Sequence, residues 1–227
     1  MPKITNERYK EFLEKGSIEL FSMEELDKGI IKAGRSKFGN QARAFLIALY
    51  YTGARPVELL QLKPTNFIKK KSYLTIQIPT AKRGMPRVIS LPFSRKYATE
   101  LYKYVNTLFD DIYIFYNLAS HRTRTYKTKQ KTANNYGRSY IYHEGEEPKK
   151  PETKQYTIIT DRVYYYIKKW IGVNPYFLRH SRMSALSQNG ADMNELRQFK
   201  GAKSMDSVIP YIHMSSQISE KIGRRLK

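Results

Sequence analysis

Three stretches of this chain carry residues whose types and spacing suit phosphate chemistry. In TGARPVELLQL (52–62), Arg55 stands three residues before Glu58, directly ahead of Pro56. In NPYFLRHSRMSAL (174–186), Tyr176, Arg179 and His180 fall at i, i+3 and i+4, so on a helix all three project from one face. In SMDSVIPYIHMS (204–215), Tyr211 follows Pro210. A guanidinium grips two phosphate oxygens in a planar fork, and two such forks neutralise the charge that builds on phosphorus during substitution. A tyrosine hydroxyl, with a reference pKa of about 10, becomes a nucleophile only where cations stabilise its anion. The chain has no cysteine, so covalent chemistry falls to Tyr, Ser, Lys, His or a carboxylate. Plainer readings exist for each box. Arg55 and Glu58 at i, i+3 also make an ordinary surface ion pair of about 0.2–0.5 kcal/mol, and the second box also makes a solvated or DNA-facing basic stripe.

The elements that must position these residues are legible in part. Ser22 and Glu25 form a capping box ahead of a helix carrying Leu26, Ile30 and Ala33 on its apolar side. Residues 40–52 form a second helix, buried through Phe45, Leu46 and Leu49 and ended by Gly53. Pro56 fits the first position of the next helix, which leaves Arg55 at its mouth, where the helix dipole favours an anion. Residues 73–79 alternate Leu74, Ile76 and Ile78 against Tyr73, Thr75 and Gln77, and residues 87–91 follow after TAKRGM. This is a β-hairpin with Lys82 near its tip. Helical periodicity returns over 93–108 and again over 160–171 through Val163, Ile167 and Trp170. Asn174 and Pro175 open a further helix, and Asp192 with Glu195 box the start of another. Pro210 restricts Ile209 to extended conformations, so the last helix is expected to begin at Pro210 with Tyr211 in its first turn. The fold class is mainly α with a small antiparallel β-hairpin sheet (α+β).

Lys and Arg outnumber Asp and Glu by 41 to 20, giving a formal charge of +21. An excess of that size points to a polyanionic partner, a nucleic acid. No stretch of about 18 apolar residues is present to span a bilayer, and MPKITNERYK lacks a hydrophobic signal core. The expected location is therefore cytoplasmic, on the nucleoid or in the host-cell cytoplasm of a virus. Residues 119–157 form a basic polar insertion whose Arg122, Arg124, Lys127, Lys129 and Lys131 suit DNA backbone contact. Arg83, Arg87, Arg182, Lys200 and Lys203 are further candidates for the same role. His121, His143 and His213 show no metal-ligand spacing, so no metal site is expected. After Tyr211, Ile218, Ile222 and Leu226 recur at i+4, a stripe that packs on its own core or on a neighbouring protomer.

Taken in order, an arginine in a T-G-x-R-x-x-E-L box, a hairpin lysine, an H-x-x-R-like box, a glycine turn at Gly201 and a final tyrosine resemble the catalytic domain of tyrosine recombinases, the phage-integrase family. The likeness runs from about Phe21 to Tyr211, with 119–157 outside the usual pattern. It implies that fold, with residues 1–20 an N-terminal extension, 21–227 the catalytic domain, 212–227 a C-terminal helix, and no N-terminal core-binding domain.

By the same resemblance Arg55 and Arg179 clamp the scissile phosphate, supported by Glu58 and His180. Lys82, with Arg83 competing for the place, resembles the lysine that protonates the leaving 5′ oxygen, and Tyr211 resembles the nucleophile that forms a 3′-phosphotyrosyl bond. Neither metal nor cofactor is implied; the partner that the likeness implies is double-stranded DNA, with self-association on it as a tetramer in the synapse. Two positions depart from the pattern: Tyr176 stands where the second box usually begins with His, and Ala202 where His or Trp usually follows the glycine. A missing transition-state donor costs about 10²–10³ in rate at well-studied sites. The implied function is site-specific cleavage and rejoining of DNA strands for a mobile element. Nicking and resealing in the manner of a type IB topoisomerase, or DNA binding without catalysis, are the alternatives.

Overall fold

At the start of the first helix, the Ser22 backbone N–H donates to Glu25 Oε2 at 2.8 Å and Glu25 N–H donates to Ser22 Oγ at 3.2 Å. The reciprocal pair satisfies two of the backbone donors that a helix N-terminus leaves orphaned. The computed structural model describes residues 20–80, 84–110, 112–119 and 160–212. Residues 1–19, Lys82, Arg83, nearly all of the 119–157 insertion with its five candidate cations, and the stripe at Ile218, Ile222 and Leu226 lie outside the described residues.

Helix α1 (Met23–Gly34) buries Leu26, Ile30 and Ala33 as its periodicity requires, and packs against α2 (Gly39–Thr52). Helix α2 is buried over most of its circumference, Phe45, Leu46, Ile47, Ala48 and Leu49 included, which makes it the axis of the main core. A helix apolar all round can exist only where other elements cover it. Gly53 ends it in the left-handed conformation at φ 54°, its N–H donating to the Leu49 carbonyl at 3.1 Å. The short α3 (Pro56–Leu59) follows, with Arg55 as its N-cap and Pro56 at its first position.

The sheet has three strands, β1 (Phe67–Lys69), β2 (Tyr73–Ile78) and β3 (Arg87–Pro92), all antiparallel in the order β1-β2-β3. Leu74 pairs with Leu91 and Ile76 with Ile89, so the expected hairpin and its register face are present. Strand β1 has no counterpart in the sequence reading, because three residues give too short a run to show alternation. The helix expected over 93–108 is shorter: α4 spans Ala98–Val105. Phe93 N–H instead donates to the Ser72 carbonyl, continuing the strand edge, and Tyr97 sits at φ 67° with its hydroxyl donating to Asp27 Oδ1 at 2.7 Å. A tertiary partner outweighs helical periodicity at that position.

Helices α5 (Tyr116–Ala119) and α6 (Thr160–Ile171) complete the wall of the main core, α6 through Val163, Ile167 and Trp170. Helix α7 (Pro175–Gln188) is capped by Asn174, whose side chain accepts from Tyr176 N–H, and α8 (Met193–Lys200) by the Asp192–Glu195 box. The last described element is α9 (Ile209–Ile212), which starts one residue before Pro210 and leaves Tyr211 in its first turn. Met183, Leu196, Val208 and Tyr211 form a second, smaller core that joins α7, α8 and α9. Among the described residues no helix is long and apolar enough to cross a membrane.

Candidate active site

Glu58 organises the first arginine box. Its side chain is 1% exposed, accepts from the Arg55 backbone N–H at 2.9 Å, and pairs with Arg55 Nη1 at 2.7 Å and Arg87 Nη2 at 2.9 Å. Arg179 Nη1 stands 3.9 Å from the same carboxylate. Burial pushes the Glu58 pKa up, but the Arg87 charge and hydrogen bond and the Arg55 contacts outweigh it, so the net direction is down. Glu58 is therefore ionised at neutral pH. One carboxylate balances one of three converging guanidiniums, which leaves the cluster with excess positive charge.

The second box reaches this cluster from α7. Arg179 Nη1 donates to the Gly53 carbonyl at 2.7 Å, across 126 residues of sequence, and Nη2 donates to the Lys200 carbonyl. These anchors fix the guanidinium plane while using only part of its donor set. Burial, then the Arg87 and Arg55 charges, pull the Arg179 pKa down to about 10. Arg179 is still a cation at neutral pH, held in a field that an anion relieves.

Lys200 closes the top of the group. Its Nζ donates to the Ser207 carbonyl and lies 5.1 Å from the centre of the Tyr211 ring. Burial and the Arg179 and Arg55 charges lower its pKa to about 8. Lys200 also lines a cleft of about 250 Å³ with Arg55, Lys203 and Ser207, floored by Gly201 and Ala202. Beneath Lys200, Tyr211 is 1% exposed, with its hydroxyl 2.5 Å from His180 Nδ1 and its carbonyl accepting from Ser187 Oγ at 2.6 Å.

The glycine turn ties the hairpin to this cleft. Gly201 caps α8 at φ 63°, and its carbonyl accepts from Met85 N–H at 2.9 Å. A Cβ on Gly201 would meet the Met85 carbonyl oxygen at 2.8 Å and Arg87 Nη1 at 3.0 Å. Gly201→Ala is therefore expected to cost about 2 kcal/mol or more, from left-handed strain and the clash together. In a domain of this size that lowers the melting temperature by about 4–8 °C in a thermal denaturation experiment.

The placement of the remaining candidates is uneven. Arg87 is corrected as a DNA contact: its side chain is 4% exposed and paired with Glu58, so it braces the site from below. The signal was present in the sequence, since Arg87 keeps step with Ile89 and Leu91 on the inward face of β3. Arg182 lies over the Tyr50 and Tyr51 rings at 5.7 and 6.0 Å. Tyr176 is 38% exposed with its ring 6.3 Å from that of Tyr164. Ser187 and Ser207, which hold Tyr211 and Lys200, carry no sequence signal that singles them out. No group of His, Asp and Glu among the described residues is arranged to hold a metal ion.

The sequence matches the phage integrase family over residues 23–217. The chain belongs to that family. Among solved structures this phage integrase domain is similar to XerH site-specific recombinase bound to difH substrate in a pre-cleavage complex, at 18% identity and TM-score 0.55, over 92% of this chain and 54% of that one. It is similar also to XerA recombinase, at 18% identity and TM-score 0.53, over 92% of this chain and 65% of that one. The chain thus spans between about half and two thirds of the length of these structures. These neighbours share the tyrosine recombinase fold, mostly helical with a small antiparallel sheet. No curated protein matches the sequence.

Proposed function

We propose that this integrase-family chain cleaves and rejoins DNA strands as a site-specific recombinase, for a mobile element, through a 3′-phosphotyrosyl bond to Tyr211. The observation that carries the reading is the convergence of Arg55, Arg179 and Lys200, from three separate elements, above the one tyrosine that a small core holds in place. Arg55 and Arg179 grip the scissile phosphate, and Lys200 and Lys203 add charge at the cleft rim. Lys82 on the hairpin protonates the leaving 5′ oxygen. The ester conserves the energy of the broken phosphodiester, so rejoining needs neither metal nor nucleotide.

The rest of the surface serves the duplex. Residues 21–227 act as the catalytic unit, in which the cations of 119–157 contact the DNA backbone and the stretch after Tyr211 docks on a neighbouring copy during synapsis. The formal charge of +21 supports binding that weakens steeply with salt. In titrations at several ionic strengths, log Kobs is expected to fall linearly with log salt, with a slope of about −0.9 for each phosphate neutralised.

The deciding experiment uses nicked suicide duplexes with randomised sequence around the nick. Wild-type protein is expected to capture a subset as an SDS-stable adduct whose peptide carries the DNA on Tyr211. Absence of any adduct leaves a DNA-binding protein without catalysis. Captured sequences placed in supercoiled plasmids separate the two chemistries: exchange between paired sites marks recombination, and relaxation without exchange marks a topoisomerase.

A further inference from the structure

We propose that His180 is the proton acceptor for Tyr211, through its Nδ1 atom. The inference deepens the strand-cleavage reading above and rests on it. The Tyr211 hydroxyl lies 2.5 Å from His180 Nδ1, and the two rings are tilted by 31° with centroids 5.6 Å apart. Nδ1 thus touches the atom that would attack phosphorus, which meets the first requirement for a general base. Tyr176 occupies the position where the family pattern usually has a histidine, and it is 38% exposed beside Tyr164. Among the described residues, His180 is the imidazole in contact with the hydroxyl.

The surroundings make this base respond to substrate. Lys200 faces His180 from the end of α8, Arg179 from its own helix and Tyr211 from α9. Burial, then the Lys200 and Arg179 charges, lower the His180 pKa to about 4, so the ring is neutral at pH 7 and Nδ1 is available as an acceptor. A phosphodiester bound between Arg179 and Lys200 offsets both of those charges. Its arrival raises the basicity of His180 at the moment when a base is needed, while an empty site leaves Tyr211 protonated.

The step balances. The Tyr211 proton passes to Nδ1 and leaves an imidazolium; the Oη–P bond forms as the P–O5′ bond breaks; and the 5′ oxygen takes its proton from the hairpin acid. In the return step the attacking 5′ hydroxyl gives its proton back to the hairpin group that had lost one, and the imidazolium returns its own to Tyr211.

Two measurements test this. The chain has four histidines, so nitrogen-15 histidine spectra of the free protein are tractable. His180 is expected to show Nδ1 unprotonated and Nε2 protonated at pH 7, and a proton on Nδ1 overturns the proposal. The second measurement is the rate of adduct formation on captured suicide duplexes with His180→Asn, and with His180→Gln as a second variant should the first melt early. Both side chains accept a hydrogen bond, and neither takes up a proton at neutral pH.

Each variant is expected to slow the adduct by about 10²–10⁴-fold at pH 7. The deficit should shrink as pH rises toward the tyrosine range, because hydroxide then ionises Tyr211. It should persist on a duplex with a 5′-bridging sulfur, whose thiolate leaves without a proton. Wild-type rates in a variant, or rescue by sulfur, overturn the role of His180 while the recombinase reading stands. If wild type captures no duplex, the recombinase reading falls and the base with it.

Discussion

Tyr211→Phe is expected to form no covalent DNA adduct at any pH, while it still folds and binds DNA. The ring stays because it is core: Tyr211 packs with Met183, Leu196 and Val208 at 1% exposure. Phenylalanine keeps that packing and deletes only the hydroxyl. Its hydrogen bond to His180 is part-buried, so the deletion costs about 0.5–1.5 kcal/mol, a drop of about 1–6 °C in melting temperature. The chemical effect is total, because no other oxygen stands in the same place. Denaturing gels of suicide-duplex reactions read the adduct, and gel-shift titration reads binding. An adduct formed by the Phe variant would move the nucleophile to another residue.

On the strand-cleavage reading proposed above, the nucleophile is also a core residue, 1% exposed. Tyr211 lies under Lys200, and Lys200 lines the cleft. The Lys200 ammonium bonds the Ser207 carbonyl, on the turn that leads into α9. On the same reading, burial keeps the Tyr211 hydroxyl protonated and shielded while the cleft is empty.

What could be read from the sequence follows from the range of the forces involved. Arg55 at a helix mouth was legible because Gly53, Pro56 and Glu58 act within a few residues: a left-handed stop, a fixed φ and a reciprocal cap. The Ser22–Glu25 and Asp192–Glu195 boxes are local in the same way. Tyr97 defeated periodicity because its partner, Asp27, is 70 residues away. The contact between His180 and Tyr211 spans 31 residues and two turns, and no spacing rule predicts it. Arg87 shows a third case, in which the inward alternation of β3 was visible but positive charge suggested the surface. A buried carboxylate overrides that expectation, and only the fold reveals where Glu58 points.

Glu58 is also where the largest stability effect is expected. Glu58→Gln keeps the shape and one acceptor oxygen but removes the charge that pairs Arg55 and Arg87 and faces Arg179. Breaking a buried pair from one side strands the other charge, which costs about 3–5 kcal/mol. The amide's remaining hydrogen bond places this variant near the lower end, about 3 kcal/mol at pH 7, or about 6–12 °C in melting temperature. The sign with pH follows from the lowered carboxyl pKa. The folded state holds Glu58 ionised below the range where the unfolded chain, at about 4.3, takes up its proton. The contribution is therefore complete above the unfolded pKa and is lost as pH falls through the folded one. His180 adds an acid lability of its own between the ordinary imidazole value of 6.5 and about 4, where the unfolded chain binds a proton that the fold refuses. That second effect is common to wild type and variant and cancels in their difference. Urea titrations across pH should thus show a gap between the two proteins that is constant near neutrality and closes only in strong acid. Adduct formation should fall by roughly 10²-fold as Arg55 loses the carboxylate that holds it and drifts from the phosphate. A gap that instead stayed open in strong acid would place the deficit in the shape and hydrogen bonding of the amide and leave the Glu58 charge a minor partner of its arginines.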